Sequence, residues 1–282
     1  MRFTFWSIPL LILVISCGDN TKAPPITPKA RSEQHLSSAT SYYDQGQLAA
    51  ASREAEIAIS INNENMAAFQ LLAVIYNDLG YFTNTIYVLL EAEKLLKGEA
   101  QLGEDMETLL IEAQLESGQV ESAINRLEYE ETQSALDKDI KVIFRARAEM
   151  LKQNYEQALA ILDEAEVISA QKNIQSTYYT VKANTLKMSG NRILAEQMYR
   201  KAITIDMNNT KAALALADLL QLQDQLSEAE DILSEALYRL PSTDFITIEK
   251  LNVLKLLRLV LVKQGRMGEA MAYSQLMEED DK

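Results

Sequence analysis

Cysteine occurs once in this 282-residue chain, at Cys17, and histidine once, at His35. A single cysteine excludes an internal disulfide, and a single histidine leaves no pair to build a zinc-type site. The serines have no histidine placed to activate them as nucleophiles. Glycine is sparse, nine residues in all, and none belongs to a phosphate-cradling loop. Proline is scarcer: five residues, four of them before residue 29, so that only Pro241 interrupts helix in the rest of the chain. Positive charge is also short. The 27 lysines and arginines face 41 aspartates and glutamates, a net charge of −14. Such a surface argues against nucleic acid and against broad contact with anionic lipid headgroups. No apolar run reaches the roughly 20 residues of a membrane-spanning helix. The most apolar late stretch, residues 251–265, is broken by Lys255, Arg258 and Lys263. The expectation is a non-enzymatic chain with no catalytic residue, no metal and no cofactor.

What the chain does contain is a phrase that recurs. In residues 190–209 a glycine closes one helical pattern. The next carries Ala195, Tyr199, Ala202 and Ile203 on one stripe at the 3.6-residue period. The innermost positions are alanines, which let a neighbouring helix approach closely. The counterparts of Ala195 are Ala51, Thr85, Ala123, Ala158, Ala229 and Ala270. Seven residues later stand Ala58, Ala92, Glu130, Ala165, Ala202, Ala236 and Met277. Five residues earlier stand Gly46, Gly80, Gly118, Gln153, Gly190, Asp224 and Gly265, and twelve earlier Ala39, Ala73, Ile111, Ala146, Ala183, Ala217 and Arg258. Seven repeats begin near residues 32, 66, 104, 139, 176, 210 and 251, with steps of 34, 38, 35, 37, 34 and 41. The boundaries read as 32–65, 66–99, 104–137, 139–172, 176–209, 210–243 and 251–282. The polar insertion at 97–104 is either slack or a binding element.

A 34-residue helix–turn–helix with small residues at these positions and glycine in the turn resembles the tetratricopeptide repeat. The resemblance spans residues 32–282. It implies an all-α, right-handed superhelix of about seven helix–turn–helix repeats. The aromatic expected early in the first helix is present as Phe69 and Tyr179 but replaced by Glu107 in the third repeat, and the third and seventh repeats are degenerate. The resemblance further implies that the first helices line a groove for a partner peptide or helix. Transferring those positions gives Tyr43, Gln70, Asn77, Glu112, Arg147, Thr180, Asn184, Lys187, Lys211, Asp218, Gln221 and Lys255 as candidate contacts. Thr108, Leu115, Ile140, Ile143, Met150, Thr177, Leu214 and Asn252 lie among the groove-facing set. Arg147, Asn184, Lys187 and Lys211 are expected to gather cationic and amide donors that grip a carboxylate or an acidic segment. The set resembles part of a chaperone-binding carboxylate clamp, with Thr180 where a lysine would stand.

Ahead of the repeats, Arg2 is followed by an uncharged apolar run, Phe3–Ser16, that reads as a secretory signal. The residues Val14-Ile15-Ser16-Cys17 resemble a bacterial lipobox. The implied processing removes residues 1–16 and leaves a lipidated Cys17, with a Pro-rich tether over 17–31. Gly18 rather than aspartate after the cysteine points to the outer membrane by the enterobacterial sorting rule. The expected protein is therefore a lipid-anchored scaffold at the periplasmic face of the bacterial envelope. It meets the membrane through the N-terminal lipid only, and its partners are other envelope proteins. Assistance to a pilus- or secretion-type assembly is the leading expectation. Recruitment of peptidoglycan hydrolases, or an association with exopolysaccharide and exosortase systems, is the alternative.

Overall fold

The computed structural model describes residues 27–96, 101–133, 136–165 and 170–279. The signal sequence, Cys17, residues 18–26 of the tether, residues 97–100 of the 97–104 insertion and the last three residues lie outside the described residues. Fourteen helices and no strand occur among those described. The first helices of the successive repeats are α1 (Pro28–Asp44), α3 (Met66–Asp78), α5 (Glu104–Glu116), α7 (Lys138–Leu151), α9 (Lys172–Met188), α11 (Thr210–Leu222) and α13 (Ile248–Lys263). Their second helices are α2 (Leu48–Ile61), α4 (Phe82–Leu95), α6 (Val120–Gln133), α8 (Tyr155–Glu164), α10 (Arg192–Ile205), α12 (Leu226–Arg239) and α14 (Met267–Glu279). Each first helix packs on the first helix of the next repeat, and each second helix from α2 to α12 fills the crevice between two first helices, while α14 packs on α13. The first helices therefore form the inner wall.

The alanine seam explains this packing. Ala51, Ala123, Ala158, Ala195 and Ala229 are fully buried, as are Ala39, Ala73, Ala146, Ala183 and Ala217 opposite them. A methyl group is the largest side chain that two helix backbones at close approach accommodate. The seventh repeat departs from the expected register. Arg258 is exposed while Leu257 and Leu261 are buried. The tether boundary also moves: residues 28–31 are the first turn of α1. Pro28 occupies the start of the helix, where its missing N–H costs nothing, and the Thr27 hydroxyl caps the Ala30 amide at 3.2 Å. The insertion is partly structural, since Leu102 is buried among the residues of repeats 2 and 3.

All seven turns place one residue at positive φ. Five are glycines, and the other two are Gln153 at 66° and Asp224 at 63°. The backbone shape is thus common to every repeat, and two of the repeats hold it with strained side-chain-bearing residues.

Two polar devices reinforce the array. The Ser32 hydroxyl donates to the Ala58 carbonyl at 2.8 Å, the Asn65 amide donates to Ser32 at 2.8 Å, and Asn65 Oδ1 caps the Ala68 amide. The same arrangement returns as Ser176, Ala202, Asn209 and Ala212. In each, one side chain ties both helices of a repeat to the start of the next. In the third repeat, Glu107 is buried at the position where an aromatic is expected, and it pairs with Arg126. Arg126 also reaches Glu93 at 2.6 Å, so one guanidinium joins α4, α5 and α6. Burial opposes its charge, but the bonds it donates to Glu107 and Glu93 outweigh that and raise its pKa.

Two substitutions check this reading by thermal or denaturant unfolding. Ala195→Leu is expected to overpack the seam and destabilise by about 1–3 kcal/mol. Asp224→Gly is expected to relieve the left-handed strain and stabilise by about 0.5–1 kcal/mol. An unchanged midpoint for the first would show that Ala195 is not a close-contact position.

Candidate functional site

The inner wall holds a half-open cavity of about 740 Å³ lined by α5, α7, α9, α11 and α13. Its apolar lining includes Ile140, Ile143, Phe144 and Met150 of α7, Ile174 and Val181 of α9, Leu214 of α11 and Leu256 of α13. Asn173, Thr177, Thr180, Asn184 and Asn252 supply amides and hydroxyls, and Glu112, Glu116, Arg147, Lys211 and Asp218 supply charge. All of these come from first helices, because the stagger of helix on helix aims one face of each at the central axis.

Six of the twelve candidate contacts line this cavity: Glu112, Arg147, Thr180, Asn184, Lys211 and Asp218. The others do not. Tyr43 donates its hydroxyl to Asp78 at 2.8 Å and joins α1 to α3. Gln70 reaches Asp105 at 3.4 Å. Asn77 has a buried side-chain oxygen with no hydrogen-bond partner. Lys187 pairs with Asp218 at 3.1 Å. Gln221 is buried, with its carbonyl 3.5 Å from the Lys263 ammonium. Lys255 is exposed on α13 and lies outside the cavity lining.

Two lining residues serve structure. Thr180 donates to the Ser176 carbonyl and accepts from Asn209, and Asn184 accepts from the buried Tyr199 hydroxyl at 2.5 Å. Leu115, placed in the groove by the repeat register, is buried in the core instead. Its neighbour Glu116 faces the cavity. Glu116, Phe144, Asn173, Ile174, Val181 and Leu256 escaped the sequence reading because each lies beside the transferred stripe. The cavity wall is wider than one residue position per turn.

The expected cluster of free cations does not form. Lys211 pairs with Glu112 and, at 3.4 Å, with Glu116, both about 95–99 residues away in the chain. Arg147 pairs with Glu116 at 2.7 Å, and Lys187 is held by Asp218. The acidic chain supplies its own counter-ions across the cavity, so none of these three cations waits for an acidic ligand.

Glu112 shifts one way and Glu249 and Asp78 the other, according to how far nearby cations offset burial. Burial pushes Glu112 up, but the Lys211 charge and hydrogen bond, with Arg147 beyond, outweigh it and hold Glu112 below the ordinary value of 4.5. Burial likewise opposes the Lys211 charge, and Arg147 adds to that, yet Glu112 and Glu116 leave its pKa raised. Glu249, at the start of α13, is raised by burial. Lys211 relieves this in part, while Asp78 and Glu112 add to it. Asp78 is raised by burial and by Glu112 against the relief of the Tyr43 bond. Glu249 and Asp78 were not singled out in the sequence, since neither stands at a groove position of its repeat.

Residues 188–245 match the family model described as Tetratricopeptide repeat. No curated protein sequence matches the chain. A tetratricopeptide repeat protein from Parabacteroides merdae is similar in structure, with TM-score 0.52 and 17% identity over 89% of this chain and 94% of that one. A chain of the APC/C hetero-tetramer Cut9-Hcn1 is similar with TM-score 0.52 and 12% identity, over 83% of this chain and 43% of that one. Yeast Tom70 is similar with TM-score 0.51 and 15% identity, over 88% of this chain and 50% of that one. At these identities the likeness is one of fold, and the chain spans half or less of the last two.

The two kinds of carboxylate give opposite pH signatures. A raised folded-state pKa means that the folded form binds the proton more tightly, so Glu249 costs stability as pH rises above the ordinary value. A lowered one means that Glu112 contributes stability above that value and loses it as pH falls below. Glu249→Gln is therefore expected to melt higher than the parent at pH 7, with the gain shrinking towards pH 4.5. Glu112→Gln is expected to melt lower at pH 7, with the loss shrinking under acid. Thermal melts across this range check both signs, and equal shifts at all pH values would contradict the assignment.

Proposed function

We propose that this chain, a tetratricopeptide-repeat superhelix in fold, is a non-catalytic scaffold that holds a segment of another protein in its central cavity. The carrying observation is the cavity wall itself, apolar over α7, α9, α11 and α13 and interrupted by Asn173, Thr177 and Asn252. Apolar side chains of a bound segment would leave water there, while the amides and the hydroxyl would meet its backbone. The charge around the cavity selects the segment. Asp78, Glu112, Glu116, Asp218 and Glu249 outnumber Arg147, Lys187 and Lys211, and those cations are engaged. An apolar segment with neutral or basic flanks fits this balance better than an acidic one.

The place of action in this proposal is the periplasmic face of the bacterial envelope, on the outer membrane, and the task is to assist assembly of a pilus- or secretion-type complex. Support comes from the sequence: the apolar run ending in Val14-Ile15-Ser16-Cys17 and the lone cysteine at its end. Acyl chains on Cys17 would supply membrane affinity at about 0.8 kcal/mol per buried CH₂. No helix among the described residues is long and apolar enough to cross a membrane.

A crosslinking experiment tests the proposal. A photo-crosslinking residue replaces Asn252 in the full-length chain, in its own cells, with and without Thr177→Trp to fill the cavity. Both positions are exposed, and neither holds an ion pair. The expected result is one envelope protein captured, lost on filling the cavity at unchanged helix content, with Cys17→Ser releasing the scaffold from the membrane fraction. Equal capture with the cavity filled would move the binding site elsewhere.

A further inference from the structure

The longest step between repeats, 41 residues, lies between the sixth and the seventh. Its extra residues lie in the connection 240–247, which runs against the turn between α1 and α2 of the first repeat. The Asp244 carboxylate accepts from the amide of Leu48 at 2.6 Å and of Ala49 at 3.4 Å, and the Asp244 amide donates to the Gly46 carbonyl at 2.7 Å. These groups are about 195 residues apart in the chain. The α2 helix has no side-chain cap of its own at Gln47, so Asp244 supplies the missing anionic acceptor at the positive end of the helix. The approach is close. A β-carbon on Gly46 would lie 2.1 Å from the Ser242 carbonyl oxygen, and one on Gly80 would lie 3.0 Å from Ile248 at the start of α13.

The nature of this contact sets it apart from the other junctions. Successive repeats share apolar clusters: one runs from α1 to α5, one from α5 to α7, one from α7 to α9, and one from α9 to α14. None of these clusters joins the first two repeats to the last two. There the chain is closed by the Asp244 bonds and by the small Ile248–Gly80 contact, while further in Lys211 of the sixth repeat pairs with Glu112 and Glu116 of the third. Polar contacts of this kind exchange for water at low net cost, whereas breaking a shared core does not.

We propose that the 240–247 connection is a releasable clasp, with Asp244 on the α2 N-terminus as its catch, and that its release opens the superhelix and admits a partner to the cavity. This rests on the reading of the cavity as the binding site. Opening would part Lys211 from Glu112 and Glu116 and free both signs of charge for an incoming segment, so that release and binding are coupled.

The test compares the full-length parent with Asp244→Ala, with Asp244→Asn as a milder variant, and with Asp231→Ala on the exposed face of α12 as control. Amide exchange at Leu48 and Ala49 is expected to quicken about tenfold in Asp244→Ala and less in Asp244→Asn. The scattering radius should rise at constant helix content, and the neutral dye Nile red should enter the cavity faster, an effect abolished by Thr177→Trp. Unchanged exchange at Leu48 and Ala49 would remove the clasp. Faster exchange with an unchanged radius and dye rate would reduce Asp244 to a local helix cap and overturn the proposal. Exchange and scattering do not depend on what the cavity binds, so a failure of the binding proposal leaves them standing. Loss of helix content in both Asp244 variants would show that the contact is part of the folding core and would also overturn it.

Discussion

Close approach of helices at alanine is the constraint on which the rest of this molecule depends. Where Ala39, Ala73, Ala146, Ala183 and Ala217 face the second helices, no side-chain bulk separates the two backbones. The second helices can then sink between successive first helices, and the array must curve with the first helices inside. The curvature draws α5 and α11 near enough across the axis for Lys211 to meet Glu112 and Glu116. It also draws the connection before α13 against the turn after α1. A cavity, a set of trans-axial ion pairs and a closing contact all follow from methyl groups at one repeat position.

Charge then decides what kind of cavity this is. In a strongly acidic chain, cations brought to the inner wall are captured by carboxylates of facing helices before any ligand arrives. Glu112 gains a cation and is held ionised, while Glu249 and Asp78 are left in surroundings that penalise their charge. The inner wall thus combines satisfied ion pairs, under-compensated carboxylates and apolar surface. In the binding role proposed above, the first would offer no unpaired cation to an acidic segment, and the second would favour a neutral or basic one. This reverses the expectation drawn from the cations alone. A list of groove residues carries no information about which side chain faces which across the axis.

The fold was legible because its signal is repetitive and local. Small residues at fixed offsets, with a glycine between, specify helix, turn, helix and the face that packs. Even Gln153 and Asp224, which break the glycine pattern, keep its backbone conformation, because the packing of the flanking helices determines the turn. The site was legible only by half. Six candidates line the cavity, but Glu116 was passed over for the adjacent Leu115, since one repeat position cannot resolve two neighbouring residues on a helix. The Ser–Ala–Asn device was present in the sequence as Ser32, Ala58, Asn65 and Ser176, Ala202, Asn209 at identical spacing. It was invisible to a reading tuned to apolar periodicity. Contacts across the axis were not legible at all, because nothing local in residues 46–49 announces a partner at 244.

Insertions show the same limit from the other side. The polar stretch at 97–104 reads as slack or as a binding element, yet Leu102 in it is buried in the core. The longer extension before α13 attracted no notice, yet it carries the aspartate that completes α2. In a solenoid each repeat normally answers only to its neighbours, so an insertion can lengthen freely as long as it stays on the surface. An insertion that instead satisfies a helix end in a distant repeat changes the topology of the whole, from an open spiral to a closed one. It does so with hydrogen bonds and ion pairs, and none of the apolar clusters spans the contact. The stability of this chain resides in its local seams. Its shape depends on a few polar groups far apart in sequence.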